Sequence, residues 1–402
     1  MTLEATRGVV GGGQGEALVE AARALGPRIL QAADVIEEER RLPDDLVDAM
    51  VDAGLFTMLV PRSKGGSELD LPTYVRVIEE LARADGSVAW CTGQASGLSL
   101  VSAYLEPPVA DAIFQGVRRP ILANGPGEGN KPGWAVPIEG GYRISGLWNF
   151  ASGSRHAAWL QAICQVQSDD GRPLMTVEGE PNVRLMLFPK EQARMLDTWH
   201  VSGLRGTGSF SFTVDNLFVP DEHAALISPQ TRREPGPLYL FSGSGVFGPS
   251  FGSVALGIAH TSLASLIELA SDKTPRGAGR TVRESPVVQS LVARAHARLA
   301  SARLFLHHTL CEVWDAVVET GTLSVGQQVA VRLAATNATH QAVEVVNAAY
   351  EAAGSSAIFA NRPFERRFRD IHAVSQQLQA RAAHFETAGR YLLGLEPNSP
   401  FL

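Results

Sequence analysis

The chain has 402 residues, of which 45% are hydrophobic, with 35 Lys and Arg against 42 Asp and Glu for a net charge of −7. That length exceeds one ordinary domain and predicts two or three packed regions, while an acidic balance without a basic run excludes a phosphate-backbone partner, so no nucleic acid is expected. No uninterrupted apolar run reaches the roughly 18 residues of a membrane span, Met1–Arg7 lacks the apolar stretch of a signal peptide, and three widely spaced cysteines (Cys91, Cys164, Cys311) suit a reducing cytoplasm.

Gly8–Gly15 is glycine-rich and reads as a flexible tail. From Glu16 to Glu39 apolar residues recur at helical spacing. Pro43 suits a first helical turn and Gly54 a stop, and Pro72 opens another helix that Asp85-Gly86 closes. Helices therefore fill a first region, residues 1–120. The period changes in residues 121–231. Trp134–Glu139, Gly140-Gly141 and Tyr142–Trp148 read as a β-hairpin with a two-residue loop. Ser209–Val214 alternates, with Phe210, Phe212 and Val214 on one face, ahead of a turn at Asp215-Asn216. Residues 232–402 return to long helices. Ser285-Pro286 opens one whose apolar face carries Val288, Leu291, Val292, Ala295 and Leu299. Val325–Ala353 forms another, stopped by Gly354. Helices, a small sheet and a helical bundle make an α+β fold, without the βαβ alternation of a nucleotide-binding sheet.

Five motifs carry chemistry or invite it. Gly243–Gly248 matches GxGxxG but lacks a βαβ context and a following acidic residue, so close packing of a helix start is the better reading. His307, His308 and Cys311 have no second ligand cluster and read as surface or interface groups rather than zinc ligands. Trp148-Asn149-Phe150-Ala151-Ser152-Gly153 is either a bulged strand end with buried aromatics or a strand end that approaches a flat ring. Trp199–Ser209 is a glycine-rich loop whose successive amides could form an anion-binding concavity. Arg366, Arg367 and Arg369 could bind phosphate or form ion pairs, and His372, two residues after Arg369-Asp370, is either a satisfied core histidine or a catalytic imidazole.

Several of these segments are similar to the acyl-CoA dehydrogenase superfamily: Phe56–Pro61 with Gly65-Gly66 near the start, Trp148–Gly153 and Trp199–Ser209 in the middle, Arg280–Arg303 as a subunit-contact helix, and Pro363–Gln377 at the end. The resemblance spans about residues 16–390. It implies an N-terminal helical domain, a middle β-barrel-like domain and a C-terminal four-helix bundle. One departure decides the branch. A dehydrogenase needs a carboxylate base close to the flavin, yet nothing acidic lies between Ile371 and Phe385, nor between Leu240 and Ile267. The chain thus resembles the oxygenase components of two-component flavin monooxygenases, the group of 4-hydroxyphenylacetate 3-hydroxylase and dibenzothiophene monooxygenase.

That resemblance implies a homotetramer, a separate NAD(P)H:flavin reductase, O2 as co-substrate, and a C4a-hydroperoxyflavin that hydroxylates a small aromatic or heteroaromatic compound. N- or S-oxygenation, or an atypical FAD-dependent acyl-CoA dehydrogenase, are the alternatives. Reduced, diffusible FMN is the expected cofactor, with FAD possible, because Arg280 is followed by Thr281-Val282 and not by Phe-Gly. His372 and Ser152 are the expected catalytic residues. Asn124, Trp148, Phe150, Ala151, Ser152, Trp199, Thr207, Ser209, Arg276 and Arg280 are expected at the cofactor, and Cys91, Gln94 and Ser96 at the substrate pocket. The substrate-facing histidine that several relatives carry near Trp90–Ser96 is missing here.

Overall fold

The computed structural model describes residues 13–277 and 279–399. Most of the expected glycine-rich tail lies outside these residues. Its last two positions, Gln14 and Gly15, already belong to helix α1 (Gln14–Glu39), where Gly15 is buried against Thr73. Four more helices follow: α2 (Asp44–Asp52), α3 (Leu71–Ala84), α4 (Gly86–Leu98) and α5 (Pro107–Phe114). Pro43 stands one residue outside α2, at its N-cap. Asp85 both ends α3 and caps α4, its carboxylate accepting from the Val88 amide at 2.9 Å.

Eight strands form one mixed sheet: β1 (Leu122–Gly125), β2 (Gly133–Ile138), β3 (Gly141–Ala151), β4 (Trp159–Val166), β5 (Val183–Pro189), β6 (Arg194–Leu196), β7 (Phe210–Pro220) and β8 (Ala224–Ala225). The order is β6-β7-β3-β2-β4-β5-β8, with β1 parallel to β4. Among the described residues no ladder joins β6 to β8, so the unit is an open sheet and not a closed barrel. The hairpin falls one residue from its expected register. Ile138 pairs with Gly141, leaving Glu139-Gly140 as the loop. Asp215-Asn216 is not a turn, because β7 runs through it as a bulge. The Ser145 hydroxyl explains this: it accepts from the Asn216 amide at 2.7 Å and donates to Asp215 at 3.2 Å, satisfying groups that the ladder leaves out.

The last region holds α6 (Gly243–Asp272), α7 (Pro286–Thr320), α8 (Val325–Ala353), α9 (Pro363–Ser375) and α10 (Ala383–Leu392). By length and mean composition α6 could cross a membrane, but most of it is buried as a core helix of this fold. Its apolar character serves packing here: Gly252 and Gly257 let it approach α8 and α3 so closely that an added Cβ would lie 3.1 Å from the Ala335 carbonyl and 2.7 Å from that of Glu79. Gly248, the last glycine of the GxGxxG start, shares in this close packing, since a Cβ there would lie 3.1 Å from the Arg332 guanidinium, while Ser242 caps the Gly245 amide. Glu79 of α3 is buried beside Arg83, Arg303 and His307. Burial alone would raise its pKa, but the hydrogen bond with His307 and the nearby guanidinium groups of Arg303 and Arg83 hold it well below the usual carboxylate range. His307 is therefore committed to Glu79 at 2.8 Å, and His308 stands exposed 3.3 Å from Glu312.

The loop 199–208 joins all three regions. Arg40 pairs with Asp197 through two 2.7 Å bonds, Gly206 abuts Ile36 of α1, and Gly203 lies flat on the backbone of α9. A Cβ at Gly203 would sit 2.1 Å from the Arg369 carbonyl oxygen. Gly203→Ala is accordingly expected to cost about 1–3 kcal/mol, since backbone cannot yield as a flexible side chain would. Urea denaturation checks it, and an unchanged midpoint would rule the close contact out.

Candidate active site

Strand β3 ends abnormally. Phe150 adopts a left-handed conformation (φ 58°) and is 61% exposed, although it is aromatic and non-glycine. Such backbone costs of order 1–3 kcal/mol and marks a position that the surroundings enforce. Its ring meets Trp199 edge-on, with centroids 6.0 Å apart. Directly behind it, Ser152 turns inward. Its hydroxyl lies 2.7 Å from that of Ser209, which lies 2.7 Å from that of Thr207. Thr207 donates to the Leu204 carbonyl at 2.8 Å, and the Trp90 indole N–H donates to Ser152 at 3.0 Å. Trp90 is held in turn by stacking on Phe251 at 3.9 Å. Cys91 sits below this chain, its thiol donating to the Thr207 carbonyl at 3.7 Å, and burial pushes that thiol's pKa up.

At one edge Gln94 donates to the Asn124 side chain at 3.1 Å, and both are half-buried. His372, in the last turn of α9, is half-buried. Its Nε2 lies 3.0 Å from the Asn347 amide oxygen and its ring packs edge-on to Phe368. In the neutral tautomer that donates from Nε2 to Asn347, Nδ1 carries the lone pair. Both carboxylates of α9 are committed. Glu365 pairs with Arg369, and Asp370 accepts from the Leu204 amide at 2.6 Å. Asp370 is fully buried, and that burial, reinforced by Asp85 and Glu37, pushes its pKa up to about 7.

The structure thus gathers Ser152, Thr207, Ser209 and Cys91 into one cluster, with Ala151 buried in the strand that carries it. Gln94 with Asn124 and Phe150 with Trp199 form two further pairs. Other expectations are corrected. Trp148 is fully buried, stacked on Phe212 at 5.1 Å and bonded to the Ile163 carbonyl, because Gly133 and Gly146 leave room for its ring inside the sheet. Ser96 is fully buried too, and faces the Leu55 carbonyl and not a pocket. Arg276 and Arg280 stand exposed in the segment between α6 and α7. The anion concavity does not form from the amides of Leu204, Thr207 and Gly208, which already donate to Asp370, Leu204 and Arg205. The arginines of α9 are likewise engaged: Arg366 with Asp34, Arg367 with Thr261 and Ser265, and Arg369 with Glu365, Glu37 and the Ser202 carbonyl.

Sequence reasoning missed Trp90, Asn347 and His156. His156 is 5% exposed with neither ring nitrogen hydrogen-bonded, and burial, helped by Lys190, lowers its pKa to about 3. No spacing rule could have announced Trp90 or Asn347, since each acts through a partner far away in sequence, Ser152 and His372 respectively.

A ring system with a polar edge fits what is present: a strained exposed phenylalanine, an indole at right angles to it, a side-chain amide pair and a serine hydroxyl. Residues 14–105 match the family described as Acyl-CoA dehydrogenase, N-terminal domain, and residues 250–381 the one described as Acyl-CoA dehydrogenase, C-terminal domain. The chain is 28% identical over 394 residues to the FADH(2)-dependent resorcinol hydroxylase, oxygenase component, of Rhizobium sp., covering 91% of each chain. It superposes on XiaF from Streptomyces sp. in complex with FADH2 and glycerol with a TM-score of 0.88 at 24% identity, over 96% of this chain and 98% of that one. It also superposes on dibenzothiophene monooxygenase TdsC from Paenibacillus sp. A11-2 with FMN and indole, with a TM-score of 0.78 at 23% identity, over 96% and 99%. With both terminal domains matched and the middle sheet between them, this chain belongs to the acyl-CoA dehydrogenase superfamily.

Proposed function

We propose that the protein is the oxygenase component of a two-component flavin-dependent monooxygenase, hydroxylating a small aromatic or heteroaromatic compound with O2. The observation that carries this reading is the commitment of both α9 carboxylates, Glu365 to Arg369 and Asp370 to the Leu204 amide. Neither is available as the base that dehydrogenation requires. The relatives described as an oxygenase component and as complexes with FADH2 or FMN support a reduced flavin, FMN or FAD, supplied by a separate NAD(P)H:flavin reductase.

The bound flavin supplies the oxygen-activating chemistry. Phe150 and Trp199 would flank it, and Asn124 would reach its polar edge. Ser152 would hold a hydrogen bond at its N5 side, where hydrogen bonding and exclusion of water oppose loss of peroxide. His372 Nδ1, with Nε2 fixed by Asn347, takes the proton from a phenol or amine as oxygen is transferred. Exposed Val287, Leu304, Phe305 and Val318 along α7 support a homotetramer, and free Cys91, Cys164 and Cys311 support a cytoplasmic site.

The test is anaerobic titration with reduced FMN and reduced FAD, followed by stopped-flow mixing with oxygen. A transient absorbance distinct from both reduced and oxidised flavin is expected. Failure to bind either reduced flavin would overturn the proposal.

A further inference from the structure

Resting on the reading that a flavin lies over Ser152, we infer that the buried hydroxyl chain Ser152–Ser209–Thr207 makes Ser152 an acceptor only, so that Thr207 and Ser209 select reduced flavin over oxidised flavin.

The direction of the chain follows from its two ends. At one end Thr207 Oγ1 lies 2.8 Å from the Leu204 carbonyl oxygen, which has no hydrogen to give. Thr207 must therefore donate its single hydroxyl hydrogen there, because two bare oxygens at that distance repel. Thr207 then has only lone pairs for Ser209, at 2.7 Å, so Ser209 donates to Thr207. Ser209 in turn has only lone pairs for Ser152, at 2.7 Å, so Ser152 donates to Ser209. At the other end the Trp90 indole N–H can only donate, and it does so to Ser152 at 3.0 Å. Both ends enforce the same polarity. Ser152 is left with one lone pair and no hydrogen for a ligand.

The carbonyl that sets this direction is itself held in place. The Leu204 amide donates to Asp370 at 2.6 Å, and the Trp199 indole donates to the same Leu204 carbonyl at 3.2 Å. Exposure falls along the chain from 6% at Ser152 to 2% at Ser209 and 1% at Thr207, so a ligand meets Ser152 and the others act through it.

Reduced flavin carries a hydrogen on N5 and can donate it to that lone pair. Oxidised flavin presents a lone pair at N5 and meets repulsion. Thr207 and Ser209 are positioning residues that read the redox state without touching the ring.

The experiment measures equilibrium dissociation constants for reduced FMN, under anaerobic conditions, and for oxidised FMN, in wild type, Thr207→Val, Thr207→Ser and Ser152→Ala. Wild type and Thr207→Ser are expected to bind the reduced form at least tenfold more tightly. Thr207→Val abolishes the hydrogen sink, frees Ser209 to donate to Ser152 and Ser152 to donate outward, and should bring the ratio of the two constants to within about threefold of unity, as should Ser152→Ala. A purely structural effect of valine would weaken both forms together and leave the ratio where it was. An unchanged ratio in Thr207→Val overturns the inference while the flavin assignment stands. Failure of wild type to bind either form overturns both.

Discussion

His372→Ala is expected to reduce product formed per oxygen consumed by about 10²-fold or more, the range a positioned general base supplies, with the missing oxygen recovered as hydrogen peroxide. The fold should survive the change, since His372 is half-buried and its side chain bonds to one partner, Asn347. The lost function is the lone pair at Nδ1, which Asn347 keeps free by engaging the opposite nitrogen. Measuring product and peroxide side by side at saturating reduced flavin separates this from a binding defect. A variant that keeps the wild-type ratio of product to oxygen would remove His372 from the chemistry.

The second large effect concerns pH and Asp370. An unfolded aspartate titrates near 3.8, whereas burial first, then Asp85 and Glu37, raises Asp370 to about 7 in the folded chain. Between those values the native state holds a proton that the unfolded state has released, so this group's contribution is complete below pH 4 and is lost as the pH rises through 7. The separation corresponds to roughly 4 kcal/mol. Other carboxylates, such as Glu365 beside Arg369, are lowered and work in the opposite sense, so wild type alone will not display the effect cleanly. Asp370→Asn keeps an acceptor for the Leu204 amide and cannot ionise. The variant's stability relative to wild type should therefore climb by about 2–3 kcal/mol between pH 5 and pH 8. Chemical denaturation at each pH measures this, and a difference that stays flat would mean Asp370 ionises as an ordinary carboxyl.

Much of the helical layout was legible because helices announce themselves locally. Pro286, Gly354 and the apolar face of Ala295 and Leu299 sit where their spacing required. The sheet was harder. The hairpin register slipped by one residue, and β7 continues through Asp215-Asn216 only because Ser145, on another strand, takes up the freed polar groups. In the site, Ser152 was found from its place after Phe150. Trp148, two residues before Phe150 in the same stretch, went to the opposite fate because glycines at 133 and 146, one of them on the neighbouring strand, opened the core to it. Trp90 and Asn347 were invisible for the same reason: each acts across a contact between elements, and a single chain read in order does not show which elements will meet.

The loop at 199–208 has a final consequence for motion. It is bonded to α9 through Asp370 and Arg369, fastened to Arg40 through Asp197 and the Trp199 carbonyl, and packed without clearance at Gly203 and Gly206. The sheet and the helical bundle are riveted together at this seam and do not part as two jaws. At this seam the exposed ring of Phe150 is a fixed post, held by its own left-handed backbone and by its edge-on contact with Trp199.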